Sequence, residues 1–326
     1  MRCGIYTYCR DLSEALAQKS VDVYIIRLPR FGTKTPQILQ KVVDSIPVDK
    51  LDLIHVSHEY GLYQNLESSF YGSLKNLGLP IVTTMHAVGN FNIDPIVSSA
   101  SAKVIVHNEF CKRAFGMPCT VIPHGCSPRK CVPSEEAKES YGLLPEWKIV
   151  GYLGFISSYK GLETLIEAME KLPKVGLLMG GGWHTDAETA YINNLKRHTL
   201  EVLPARCQWL GYIPDEDLPR TYGAMDIVVY PSKYSTESGA LLTALSYGKA
   251  VIASRVAPFR EKEKLGALIT FRSVTDLRNK IRKVLRDEEL RRKLEEGATN
   301  YSNNNSWDRV ADMHLKLYEK VLYEAW

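Results

Sequence analysis

The sequence predicts an α/β protein made of two Rossmann-like domains, each on a parallel sheet, and three observations carry that expectation. The 326 residues exceed one domain of roughly 150 residues and leave room for two cores. Short β-branched and aromatic runs alternate with amphipathic stretches, as βα units feeding a parallel sheet do. The alternation occurs twice, on either side of a stretch holding Pro123, Gly125, Pro128, Pro133, Gly142 and Pro145.

In the first series the strand candidates are 21–28, 53–57, 81–85, 103–107 and 120–122, with helices between them. Residues 123–145 read as a link with one short helix at 135–141. The second series runs through 149–153, 175–179, 207–210, 227–230, 251–253 and 268–270. Residues 163–172 place Leu165, Ile166, Met169 and Leu172 on one helical face, so that helix packs on the sheet. Residues 278–293 hold eight basic and three acidic residues beside a stripe of Leu277, Ile281, Val284 and Leu285. That pattern reads as a solvated helix face, with a membrane-surface helix as the alternative. The segment 306–326 carries Val310, Met313, Leu317 and Val321 and reads as a long closing helix capped by Ser306. The division is therefore 1–132 and 133–305, with 306–326 returning to the first domain.

Composition narrows the function classes. Hydrophobic residues make up 45% and charged residues 24%, a globular balance that excludes disordered and fibrous classes. Lys plus Arg is 41 against 37 for Asp plus Glu, and a net +4 is too small for a phosphate-backbone surface, which excludes nucleic acid as a partner. The seven cysteines form no Cys-x-x-Cys, as expected of a reducing, cytoplasmic setting, and Cys119, His124, Cys126 and Cys131 match no zinc-finger spacing. No run approaches 18 apolar residues, so any membrane contact is expected to be peripheral, at the inner face.

In open α/β sheets ligands bind at the carboxyl ends of strands, where helix N-termini offer free N–H groups. Lys160 falls in such a loop, just before a helix, where it either meets a phosphate or is a surface lysine beside a turn glycine. Gly180, Gly181 and Gly182 follow a strand and let backbone approach a ligand. Ser238, Gly239 and Ala240 open an apolar helix and suit an anion, while Glu237 beside them is also what the helix dipole favours in a first turn. Gly4, His55, His58, Glu59 and His86 stand at strand ends or ahead of a helix in the first domain and are expected to cluster.

Taken in order, these residues resemble the retaining glycosyltransferases of family 4. The resemblance is carried by Cys3-Gly-Ile-Tyr-Thr-Tyr, His58-Glu-Tyr-Gly, Thr83-Thr-Met-His86, Ile122-Pro-His-Gly125, Tyr159-Lys-Gly-Leu-Glu-Thr-Leu165, Gly211-Tyr-Ile-Pro-Asp215, Asp226-Ile-Val-Val-Tyr-Pro-Ser232 and Tyr247-Gly-Lys-Ala-Val-Ile-Ala-Ser254. It implies the GT-B fold, with two facing Rossmann-like domains and a cleft between them. It further implies a nucleotide-diphosphate sugar held by the second domain and an acceptor held by the first. By the resemblance Lys160 contacts the donor phosphates, His86 lies near the transferred sugar, and Gly4 approaches the diphosphate. Tyr212 and Ile213 contact the base. Residues 237–243, including Leu241 and Thr243, cover the acidic motif that grips sugar and ribose, with Gly182 also on the donor and His58 and Glu59 on the acceptor side.

Three departures stand out. Counting back from Tyr247 puts Thr243 and Ser235 where the family has its Glu-x7-Glu pair, so Glu237 is two residues out of register; it is expected to reach the sugar through a rebuilt loop, and donor selectivity to be loosened by loss of the bidentate ribose contact. Phe155 stands where the family commonly carries an arginine. Only Met1, Arg2 and Cys3 precede Gly4, so the first strand is missing and the sequence is expected to begin downstream of the natural start.

The implied reaction moves a hexose from a nucleotide-diphosphate sugar, as co-substrate, to a hydroxyl of a sugar, glycan or lipid-linked glycan, keeping the anomeric configuration. It requires no cofactor and no metal, and Asp215-Glu-Asp217 reads as a helix cap rather than a cation site. The alternatives are an epimerase of the same fold and a non-catalytic sugar-nucleotide binding protein. Dehydrogenase chemistry is disfavoured because no Gly-x-Gly-x-x-Gly opens a strand-turn-helix.

Overall fold

The structure is a computed structural model that describes residues 4–29, 32–89, 91–182 and 188–325. The chain forms two compact units, residues 4–125 with 307–325 and residues 126–306. The division falls at Gly125, ahead of the Val132 boundary read from the sequence.

The first unit comprises α1 (Gly4–Ala17), α2 (Pro36–Asp44), β1 (Ile54–His58), α3 (Glu67–Lys75), β2 (Ile81–Met85), α4 (Asp94–Ala100), β3 (Lys103–Val106), α5 (Glu109–Phe115) and β4 (Thr120–Val121). Its four strands are parallel in the order β1-β2-β3-β4, with Ile54 opposite Ile81 and Ile105 opposite Thr120. Every residue of β2 is buried, because helices cover both faces of a parallel sheet. On one face Leu39, Val56, Tyr71 and Val104 pack together. On the other, Tyr8, Leu12 and Leu16 of α1 meet Val82 and Ile105.

The second unit comprises α6 (Ser134–Glu139), β5 (Lys148–Leu153), α7 (Leu162–Glu170), β6 (Val175–Gly180), α8 (Thr189–Val202), β7 (Cys207–Gly211), α9 (Leu218–Gly223), β8 (Ile227–Tyr230), α10 (Gly239–Ser246), β9 (Ala250–Ser254), α11 (Ala257–Lys264), β10 (Ile269–Phe271), α12 (Val274–Arg286) and α13 (Glu288–Asn304). The six strands are parallel in the order β10-β9-β8-β5-β6-β7, an open doubly wound sheet. The basic run 278–293 divides at Asp287, which caps α13 by accepting the Leu290 N–H, and Leu277, Ile281, Val284 and Leu285 are buried as their spacing predicts.

The last helix, α14 (Trp307–Ala325), rejoins the first unit and contributes Val310, Ala311, Leu317 and Val321 to the face lined by α1. Burying Val310, Leu317 and Val321 contributes about 1.5–3 kcal/mol each. Met313, expected on that face, is 39% exposed, and His314 is fully buried in its place. The period of 3.6 carries the buried line from Val310 through 314 and 317 to 321 and leaves 313 beside it.

One expected strand is not formed. Residues 21–28 run without strand pairing, and Val23, Tyr24, Ile25 and Ile26 are exposed. A β-prone run becomes a strand only against a neighbour, and β1, at the sheet edge, pairs with β2 alone among the described residues.

Candidate functional site

In the second unit the carboxyl ends of β5 and β6 interlock as glycine loops. The Gly154 N–H donates to the Gly180 carbonyl (3.0 Å), the Ile156 N–H to Gly182 (2.9 Å), and the Gly181 N–H to Gly211 (2.6 Å). Gly181 has φ +152°, and a Cβ there would lie 1.7 Å from the Gly154 carbonyl oxygen, so only glycine fits. Gly182 is thus held through its carbonyl. Ile213 lies over Gly180, while Tyr212 is exposed beside it. Trp183, next to this loop, lies outside the described residues.

Lys160 ends a 3-10 turn (Ser158–Lys160), and Gly161, at φ +66°, leads into α7. A Cβ on Gly161 would meet the Pro231 carbonyl at 2.4 Å, and the Lys233 N–H donates to the Tyr159 carbonyl (2.8 Å), so the turn is fastened to the end of β8. The Lys160 ammonium sits 4.5 Å from the Tyr159 ring centroid and has no ion-pair partner among the described residues. Phe155 uses its carbonyl to accept the Tyr152 hydroxyl.

At the start of α10 the structure redraws the acidic motif. The Glu237 side chain is covered, and its Oε2 accepts from Lys262 Nζ at 2.8 Å, the two side chains being 6% and 3% exposed. Burial works against the Lys262 charge, but the adjacent Glu237 carboxylate overrides it and raises the ammonium pKa. Glu237 Oε1 accepts the Ser238 N–H (2.9 Å), and Ser238 Oγ accepts the Leu241 N–H (3.3 Å). Of the three amides expected to hold an anion, Ser238's is therefore committed to Glu237, whereas those of Gly239 and Ala240 have no acceptor among the described residues. Leu241, expected on the donor, is fully buried in the core, and the Thr243 hydroxyl bonds back to the Gly239 carbonyl (2.8 Å). Lys262 escaped sequence reasoning because it lies 25 residues from Glu237, with no local signal linking them.

Asp215-Glu-Asp217 forms a 3-10 turn ahead of α9 without a side-chain cap, so the capping expectation is not met. Among the described residues no group of three or more His, Cys, Asp or Glu is disposed to hold a metal ion.

In the first unit Gly4 is already within α1 and exposed. The expected cluster is split by strand alternation: His55 and His58, three residues apart on β1, face opposite ways. His55 Nε2 meets Thr84 Oγ1 (2.7 Å) and its Nδ1 meets the Tyr318 hydroxyl of α14. His58 stacks on Tyr63 at 5.0 Å, is fully buried, and has no hydrogen-bond partner among the described residues. Burial pushes its pKa down to about 4. Glu59 accepts the Gly61 N–H (3.1 Å), and burial raises its pKa.

His86 follows β2 and belongs to a histidine set that includes His107, missed by sequence reading, and His124, read there as part of Ile122-Pro-His-Gly125 and given no site role. Both stand at strand ends, the same signal that marked His86. The Ile122 carbonyl can only accept, so His107 Nδ1 carries the proton (3.2 Å), and His107 Nε2 accepts from His86 Nδ1–H (3.2 Å). His86 is thereby left with Nε2 as an acceptor. Burial and the neighbouring His107 hold its pKa well below the ordinary value. Tyr8 stands edge-on to the His86 ring at 4.5 Å.

The family described as "Glycosyl transferases group 1" matches residues 133–301, just over half the chain. The chain belongs to that family. Among curated relatives of this family member, the O-antigen chain mannosyltransferase B of Escherichia coli is 25% identical over 267 residues, covering 78% of this chain and 63% of the relative. The D-inositol 3-phosphate glycosyltransferase of Corynebacterium jeikeium is 26% identical over 219 residues, covering 62% and 51%. The chain thus spans between half and two thirds of the length of these two relatives. Among solved structures, sucrose-phosphate synthase from Thermosynechococcus elongatus superposes with a TM-score of 0.77 at 20% identity, over 98% of this chain and 93% of that one. Anabaena HepE in complex with UDP-glucose gives 0.76 at 19% identity, over 94% and 88%. The likeness shows the GT-B fold for this glycosyl transferase family member.

Proposed function

We propose that the chain transfers a hexose from a nucleotide-diphosphate sugar to an acceptor hydroxyl, keeping the anomeric configuration. The observation that carries this reading is the set of unengaged anion donors at the carboxyl edge of the second sheet: the Lys160 ammonium and the Gly239 and Ala240 amides at the N-terminus of α10. They lie within the segment that matches the family, and solved structures of the same fold hold UDP and UDP-glucose.

Donors fixed in advance act on charge as it develops. They stabilise the leaving diphosphate more than the intact donor, which lowers the barrier instead of only tightening binding. With Phe155 in place of a second cation, Lys160 carries the larger share. Glu237, spent on Lys262 and on Ser238 N–H, serves the reaction by fixing the start of α10. The hydroxyl proton leaves through the departing phosphate, and no step is routed through a metal. The acceptor, a carbohydrate or glycolipid, is assigned to the first unit, where His58 ends β1 and Glu59 follows it. By the same reading His86, which follows β2, is assigned to the transferred sugar. The described residues hold no helix long and apolar enough to cross a membrane, and the reading places the chain in the cytoplasm, with at most a peripheral contact.

The test is a panel of nucleotide hexoses with sugar and lipid-linked acceptors, scored for product anomer by NMR. Transfer with retention, reduced about a hundredfold or more by Lys160→Ala, supports the reading. Binding of a nucleotide sugar without transfer to any acceptor would favour a binding protein, and acceptor-free conversion of the sugar an epimerase.

A further inference from the structure

We propose that the second unit carries another anion site, at the carboxyl ends of β9 and β10, which takes the phosphoryl group of a phosphate ester. A cavity of about 590 Å³ opens there, with Arg255 at the end of β9, Arg272 at the end of β10, and Lys280 of α12 among its walls. Its two carboxylates are already spent inside the fold. Glu263 accepts the Thr270 N–H (2.7 Å) and hydroxyl (2.8 Å), and Asp276 accepts the Arg272 N–H (2.9 Å) and Lys280 Nζ (3.0 Å).

The two arginines are not spent. Both guanidinium groups are exposed, and neither makes a hydrogen bond or a close ion pair among the described residues, Arg272 standing near enough to the Asp276 carboxylate to help hold its pKa down. Each therefore presents a planar fork of donors that matches phosphate oxygens two at a time. Ser273 caps α12, its Oγ accepting the Asp276 N–H (3.2 Å), which leaves the Val274 and Thr275 amides of this 13-residue helix without acceptors at the same end. Two unpaired guanidinium groups and a helix N-terminus thus border one cavity. Its volume lies in the range of small-molecule sites, about 300–1,000 Å³, and exceeds what a bare phosphate fills. Arg255 and Arg272 follow β9 and β10, whereas Lys160 and Gly182 follow β5 and β6 and the α10 amides follow β8, so this site lies next to the donor site proposed above on the same sheet edge and shares no residue with it.

The ester is either a soluble metabolite or a lipid headgroup, and the experiment distinguishes them. Glycerol phosphate is titrated by calorimetry at low ionic strength into the whole chain carrying Lys160→Ala, which removes the cation of the donor site. The same chain is floated with vesicles of phosphatidylcholine, with and without phosphatidic acid. Binding of glycerol phosphate that Arg255→Gln with Arg272→Gln weakens at least tenfold, at unchanged melting temperature, supports the soluble ester. Co-flotation dependent on phosphatidic acid and lost in the same double variant supports the headgroup. Binding left intact by the double substitution, or no binding of either probe, overturns the site without bearing on sugar transfer.

Discussion

Lowering the pH from 7 to 5 is expected to unfold the first unit ahead of the second. Burial drives the pKa of His55 down to about 3, and those of His58 and His314 to about 4, against the ordinary 6.5. In the unfolded chain these side chains take up protons as the pH falls through 6.5, while in the fold they stay neutral until pH 3 to 4. The unfolded state therefore binds more protons throughout that window, and stability, fully present above pH 6.5, is lost as the pH falls. At pH 5 each histidine held neutral costs about 2 kcal/mol. The three together cost about 6 kcal/mol, on the scale of a whole domain's stability of about 5–15 kcal/mol. Six of the eight histidines lie in the first unit's sequence, and His198, the one described histidine of the second, is exposed, so among the described residues the loss falls on the first unit. Pulsed hydrogen exchange, with incubation at graded pH and labelling at one fixed pH, reads this directly. Peptides covering β1, β2 and β3 should lose protection between pH 6 and 5 while β5 and β8 keep theirs. Equal protection of both sets down to pH 4, or simultaneous loss, would refute the burial argument.

Other substitutions probe the second unit. Lys262→Met leaves the Glu237 carboxylate buried without its partner and should cost about 3–5 kcal/mol in urea unfolding, most of it recovered by adding Glu237→Gln. Gly181→Ala forces a Cβ onto the Gly154 carbonyl and should separate the two glycine loops; loss of nucleotide-sugar binding measured by calorimetry is the expected result, and wild-type affinity would show that the loops do not hold the donor. Transfer measured in excess EDTA should proceed at the untreated rate, and a rate restored only by a divalent ion would overturn the metal-free scheme.

Much of the fold was legible because its signals are local. The β8 run and all of β5 after Lys148 are apolar or glycine, β2 is β-prone throughout, as strands buried on both faces tend to be, and the α12 stripe keeps helical period. What failed depends on distant partners. Residues 21–28 have the composition of a strand, yet no neighbour completes the ladder. Glu237 looked free to meet a sugar because nothing near it in sequence reveals Lys262. Met313 was assigned to the buried face by composition, where a histidine one residue on fits the helical period better and finds a hydrogen bond, its Nδ1 reaching the Val310 carbonyl at 2.7 Å. The glycine loop and Lys160 were readable for the opposite reason, since strand-end glycine and lysine are marks of position alone.

The placement of α14 bears on how the protein is made. Its residues complete a hydrophobic layer that α1 begins, so that layer stays open while the ribosome works through everything between Cys126 and Ser306. At translation speeds of about 5–20 residues per second, that interval lasts on the order of ten to tens of seconds. Of the two units, the one that emerges ahead of the other is thus finished after it, and its uncovered layer is the surface a chaperone would meet during synthesis.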